Sequence, residues 1–141
     1  YNKGFLRYKT ISEICSKFKD IPIFADTKKQ KLGCFSNCVI KINEKEFKSI
    51  KALPSNCEFV VTLGPKGALY QHEVYETEQT EVFDVVGAGD VFLSGLVFGF
   101  MNTRDMKESI AIANQCASYS VTKMGTYVMT REDLKNIGVL S

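Results

Sequence analysis

Apolar residues recur along this chain with two different periods, and each period predicts its own kind of element. Ile11, Ile14, Cys15 and Phe18 stand three and four apart among lysines and glutamates, which predicts a helix over residues 8–19. The run Ile21-Pro22-Ile23-Phe24-Ala25-Asp26 is short, apolar and ends in a carboxylate, so it reads as a strand, as do residues 37–42 and 57–63. Asn43 with Glu46 three positions on reads as the capped start of a short helix reaching residue 51. Gly64-Pro65-Lys66-Gly67 is a turn signal that leads into a further strand over 68–72, and the polar stretch 73–80 reads as a rim connection. Between Val91 and Phe100 polar residues almost vanish, which predicts a helix buried on nearly every side. Met106, Ile110, Ala113, Ala117 and Val121 restore helical spacing over 105–122, and Thr130-Arg131-Glu132-Asp133-Leu134 reads as a capped helix start. Strands alternating with helices predict an α/β sheet layered by helices.

Composition narrows the function classes. The 141 residues, 45% hydrophobic and 24% charged, suit one globular domain, and a net charge of +2 argues for neither nucleic acid nor membrane as a partner. No apolar run approaches the roughly 20 residues that span a bilayer. Tyr1-Asn2-Lys3-Gly4 has neither an initiating Met nor the pattern of a secretory signal, so the chain is expected to start inside a longer protein. Cys15, Cys34, Cys38, Cys57 and Cys116 show no Cys-x-x-Cys spacing. Cys34 and Cys38 have no matching pair downstream for a metal, and His72 is the single histidine. Reduced thiols in a cytoplasmic protein are the expectation.

The candidate chemistry gathers at 83–95. Gly87, Ala88 and Gly89 let backbone N–H groups crowd at the start of the apolar helix, where the helix dipole also favours an anion. Asp90 stands beside those donors. If a phosphoryl group lands on them, Asp90 is placed to take the proton of an attacking hydroxyl. Spacing alone explains Asp90 equally well as a helix cap. Other nucleotide and hydrolase patterns are missing: Phe92 stands where a dinucleotide fingerprint needs its third small residue. There is no Gly-x-x-x-x-Gly-Lys-Ser/Thr loop and no Gly-x-Ser-x-Gly elbow, and no internal repeat or low-complexity tract.

Asp84-Val85-Val86-Gly87-Ala88-Gly89-Asp90, with Phe92 and Gly95 following, resembles the second signature of the PfkB (ribokinase-like) carbohydrate kinases. The resemblance extends to Asn43-x-x-Glu46, which is similar to a family motif that organises Mg2+ and phosphate, largely through water. Thr62-Leu63-Gly64 and Lys66-Gly67-Ala68 are similar to the family's strand and turn beside the nucleotide. Ala113-Asn114 resembles the start of the adenine pocket, and Val121 to Thr126, with Gly125, the loop that closes over adenine. Family members often hold a monovalent cation, such as K+, beside the carboxylate matching Asp84. Capping, tight-turn chemistry and a plain helix stop account for Asn43 and Glu46, for Gly64 and Gly67, and for Gly125 equally well.

Tyr1-Asn2-Lys3-Gly4 and Asp26-Thr27-Lys28 bring the resemblance closest to the D-glycero-D-manno-heptose 7-phosphate kinase branch. It implies a partial ribokinase-like three-layer α/β/α sandwich: residues 1–141 as the C-terminal, nucleotide-binding portion of a kinase domain. The family's N-terminal sugar-binding signature and β-sheet lid are missing from these residues. The implied activity is ATP-dependent phosphoryl transfer to a hydroxyl of a sugar or sugar phosphate, a heptose phosphate above all. Asp90 is then the base, the amides of Gly87, Ala88 and Gly89 the anion hole, and Asn43, Thr62, Gly64, Gly67, Asn114 and Gly125 the ATP site. Glu46 would steady Mg2+ through water, and Asp84 a monovalent cation. ATP and a sugar are the expected partners, with a homodimer in the full-length protein. The alternative is a nucleotide-binding module inactive in isolation.

Overall fold

A computed structural model describes residues 6–141, so the Tyr1-Asn2-Lys3-Gly4 segment lies outside the described residues. Two compact units make up the described residues: 6–63 with 69–72, and 64–68 with 73–141.

In the first unit, helix α1 (Tyr8–Lys17) precedes strands β1 (Ile23–Asp26) and β2 (Cys38–Asn43). Helix α2 (Glu44–Lys48), strand β3 (Glu58–Thr62) and strand β4 (Ala68–Tyr70), which straddles the boundary at Ala68, follow. The strands are hydrogen-bonded in the order β1-β2-β3-β4, and β1/β2 and β2/β3 are parallel with Asp26 beside Lys41 and Asn43 beside Thr62. Parallel strands bury both faces, which is why β2 reads Val39-Ile40-Lys41-Ile42 with almost no alternation. The core joins Ile11 and Cys15 of α1 to Leu32, Phe35, Cys38, Ile40, Ile42 and Val61.

Lys41 is the exception in that core, 5% exposed, and its Nζ sits 2.7 Å from Asp26 Oδ2. A buried ammonium without a partner would be costly, so the register that sets Asp26 beside Lys41 also neutralises it.

The second unit holds a 3-10 turn (Gly64–Lys66), strand β5 (Glu73–Tyr75) and helices α3 (Ala88–Thr103), α4 (Met106–Ser120) and α5 (Arg131–Asn136). Helices α3 and α4 pack at close range because Gly95 and Gly99 present no side chain there. A Cβ on Gly99 would lie 2.7 Å from the Ser109 Cα, and one on Gly95 3.0 Å from the Ala113 Cα. Asp105 caps α4 through its side chain on the Glu108 N–H, 2.9 Å.

Two expectations need correction. Residues 73–80 are not all connection, because Glu73–Tyr75 forms β5. The turn before it, Gln71-His72, has φ of +48 and +70 degrees, the left-handed pair of a type I′ hairpin made without the usual glycine or asparagine signal. Helix α3 is also not buried all round. Val91, Phe92, Gly95, Leu96 and Gly99 are buried, Leu93, Val97 and Phe98 are only partly covered, and Met101 is 53% exposed.

Candidate active site

The loop before α3 is shaped by one carboxylate. Asp84 Oδ1 accepts the Val86 N–H at 2.9 Å, a tight local turn, while Oδ2 accepts the Gly125 N–H at 3.0 Å. The N–H groups of Phe83 and Asp84 both donate to the Val121 carbonyl, at 2.8 and 3.1 Å. Asp84 therefore pins the 83–87 loop to the 121–126 loop by side chain and backbone together.

Gly87 ends that turn at φ +80 degrees and caps α3. Its carbonyl accepts the N–H groups of Asp90 and Val91, each at 3.0 Å, which starts the helix. A Cβ here would meet Thr126 Cγ2 at 3.0 Å, so glycine is required twice over, by backbone sign and by space.

The N–H groups at this helix start divide. Ala88 N–H donates to the Val85 carbonyl at 3.2 Å, while those of Gly87 and Gly89 have no acceptor among the described residues. Two of the three expected donors thus remain open at the positive end of a 16-residue helix. Asp90 is the third helical residue, exposed, and its carboxylate has no hydrogen-bond or ion-pair partner among the described residues. The N-cap is Gly87, and no amide among the described residues donates to the Asp90 carboxylate, so that side chain is not acting as an N-cap.

A family model for pfkB family carbohydrate kinases matches residues 9–133. The chain belongs to the pfkB carbohydrate kinase family. The bifunctional protein HldE of Campylobacter concisus is 31% identical over 162 residues, an alignment that covers 97% of this chain and 34% of that protein. HldE of Nitratiruptor sp. is 29% identical, covering 96% and 34%. The chain thus spans about a third of the length of the curated relatives it matches. Ribokinase from Thermotoga maritima superposes with a TM-score of 0.71 at 19% identity, over 92% of this chain and 52% of that one. The α/β fold of the pfkB chain is therefore ribokinase-like, as its motifs imply.

The other residues singled out in this pfkB chain fall in both units. In the second, Gly64 (φ +62) and Gly67 (φ +93) bracket the 3-10 turn, closed by Gly67 N–H to the Gly64 carbonyl at 3.1 Å. A Cβ on Gly67 would fall 2.0 Å from the Tyr75 carbonyl oxygen. Asn114 is 5% exposed, and its Nδ2 donates to the Tyr75 and Glu76 carbonyls at 2.9 and 3.3 Å. That side chain anchors the segment after β5. Gly125 has φ +74 and open space where a Cβ would go.

In the first unit, Asn43 and Glu46 form a full capping box. Glu46 N–H donates to Asn43 Oδ1 at 2.8 Å and Asn43 N–H to Glu46 Oε2 at 3.0 Å. Thr62 Oγ1 reaches the Ile42 carbonyl at 3.4 Å. Among the described residues, no three His, Cys, Asp or Glu side chains gather so as to hold a metal ion, and no helix is long and apolar enough to cross a membrane.

One cluster escaped the motif reading. Asp133, 6% exposed, accepts hydrogen bonds from Tyr119 Oη and Tyr127 Oη, each at 2.8 Å, and from Thr130 N–H at 2.8 Å and Oγ1 at 2.6 Å. Thr130 and the other donors hold its carboxyl well below the usual range. Lys123 Nζ lies over the Tyr119 ring at 4.5 Å. This knot ties the 121–130 loop, and with it Gly125, to α4 and α5. Its only sequence trace is Thr130-x-x-Asp133, which reads as a plain cap.

Proposed function

We propose that this chain supplies the phosphoryl-transfer centre of an ATP-dependent kinase acting on a hydroxyl of a sugar phosphate. The observation that carries the reading is the pairing of two open amides, Gly87 and Gly89, with an unpartnered carboxylate, Asp90, within one helical turn. Phosphoryl transfer asks a protein mainly for position and for stabilisation of charge on the transferring group. The open amides would take that charge, and the Ala88 amide would join them if its weak 3.2 Å bond to Val85 opens. Asp90 would accept the acceptor hydroxyl's proton.

Within the second unit, Gly64, Gly67 and Gly125 would serve ATP; Asn43 and Thr62, at strand ends of the first unit, are the further ATP-binding candidates that the resemblance implies. Asn114 would act through the segment it anchors. Glu46 would hold Mg2+ through water, by the carboxylate oxygen that the capping box leaves free, and the ion would offset phosphate charge. Asp84 already serves two amides and has lone pairs left for a monovalent cation such as K+. A heptose phosphate is the favoured acceptor, because the Asp26-Thr27-Lys28 segment resembles the heptose-phosphate kinase branch and the relatives are named bifunctional HldE. Five free thiols suit a cytoplasmic setting.

Calorimetry of the full-length protein with Mg·ATP, followed by a coupled ADP assay over a panel of sugar phosphates, tests this. Binding with ADP release that depends on a heptose phosphate supports it. Binding without sugar-dependent release leaves a nucleotide-binding module, and absence of binding in a folded sample removes the nucleotide site.

A further inference from the structure

The tripeptide Ser-Asn-Cys occurs twice, as Ser36-Asn37-Cys38 and Ser55-Asn56-Cys57, and neither copy has a part in the kinase reading. Each feeds one of two parallel neighbours, β2 starting at Cys38 and β3 at Glu58. The copies lie side by side. Ser36 and Ser55 form a parallel bridge, and Asn37 N–H donates to the Asn56 carbonyl at 3.0 Å. Both asparagines adopt the left-handed region, at φ +51 and +53 degrees. That shared and uncommon conformation delivers the two cysteines in matching poses, with their Sγ atoms 3.4 Å apart. With Val39 opposite Glu58, the cysteines are neighbours across the strand pair. Adjacent strands run about 4.8 Å apart, inside the roughly 4.4–6.8 Å window of Cα separations that disulfides span.

We propose that Cys38 and Cys57 form a redox-modification site that hydrogen peroxide closes into a reversible disulfide. Cys57 is the partly exposed member and Cys38 the buried one. Its exposure lets peroxide reach Cys57 first, and the buried Cys38, its thiol pushed up by burial and then by Cys57, resolves. The Cys57 thiolate attacks one peroxide oxygen and breaks the O–O bond, giving a sulfenic acid and hydroxide, which leaves as water. The Cys38 sulfur then attacks the Cys57 sulfur. An S–S bond forms, the S–O bond breaks, and the oxygen departs with the Cys38 proton as a second water. Two thiols are oxidised and one peroxide is reduced. Cys116, 2% exposed with its thiol pushed up to about 11 by burial, stays outside the reaction. Cys15, buried in the same core beside Cys38, and the partly exposed Cys34, near Cys57, are the competitors, and a link through either overturns the proposal.

Peroxide treatment of the folded protein, quenching and denaturing thiol titration provide the test. Two of the five thiols of these 141 residues are lost and return with dithiothreitol, and peptide mass mapping finds Cys38 joined to Cys57 within one chain. Cys15→Ser still loses two thiols, and Cys57→Ser keeps its remaining four. Retention of five thiols, a Cys15–Cys38 link, a link between chains, or a Cys57 oxidised to sulfinic acid beside a free Cys38 overturns the proposal. Mapping the unaltered protein decides the matter even where a variant fails to fold.

Discussion

Gly87 stands where backbone sign, side-chain space and an open amide meet. An alanine there must hold φ near +80 degrees and push its Cβ against Thr126. The left-handed penalty alone is about 1–2 kcal/mol. Gly87→Ala should therefore lower the unfolding free energy by at least that much in urea titration, and it should weaken Mg·ATP binding by displacing the open amides. Asp133 makes a prediction in pH. Its folded pKa lies below the ordinary unfolded value of about 3.9, so the stability it adds is complete above that value and is lost as pH falls through the folded one. The stability gap between the unaltered protein and Asp133→Asn, read by urea unfolding, should hold steady from pH 7 to 5 and shrink below about pH 4. Asp90 and Gly87 were legible in the sequence because their residue types and spacing are the signal. The partners of Asp133 were not, because hydrogen bonds from Tyr119 and Tyr127 depend on how the chain folds back.

Elements were legible wherever a period or a cap spoke locally. The Asn43–Glu46 and Thr130–Asp133 boxes fall where the spacing puts them, since capping is a matter of four consecutive residues. Strand β5 was hidden because its turn carries Gln71 and His72 in place of glycine or asparagine. The surface of α3 was overstated for a different reason: an apolar sequence sets what a helix can bury, and its neighbours decide what it does bury. The close approach of α3 and α4 rests on two glycines in that same apolar run. Gly99→Ala would drive a methyl to within 2.7 Å of the Ser109 backbone and should destabilise the second unit by about 1–3 kcal/mol, measured as a lower Tm with the helix content kept.

At the scale of the whole molecule, fold and family were the most legible features, since the signature around Asp84–Asp90 sits on one loop and one helix start. The acceptor was the least legible, and the chain covers only about a third of its curated relatives. The pairing of buried Lys41 with Asp26 bears on this. Asp26 reads in sequence only as a carboxylate ending a strand, and its lysine partner comes from the sheet register, which no local motif announces. Phosphoryl transfer at Asp90 remains the claim on which the rest depends. Asp90→Asn in the full-length protein, compared with the unaltered protein for kcat and for the Kd of Mg·ATP in the same preparation, tests it most directly. Loss of a general base predicts a fall in kcat of about 10²–10⁴-fold with Kd changed less than about threefold. A kcat close to that of the unaltered protein would contradict the account.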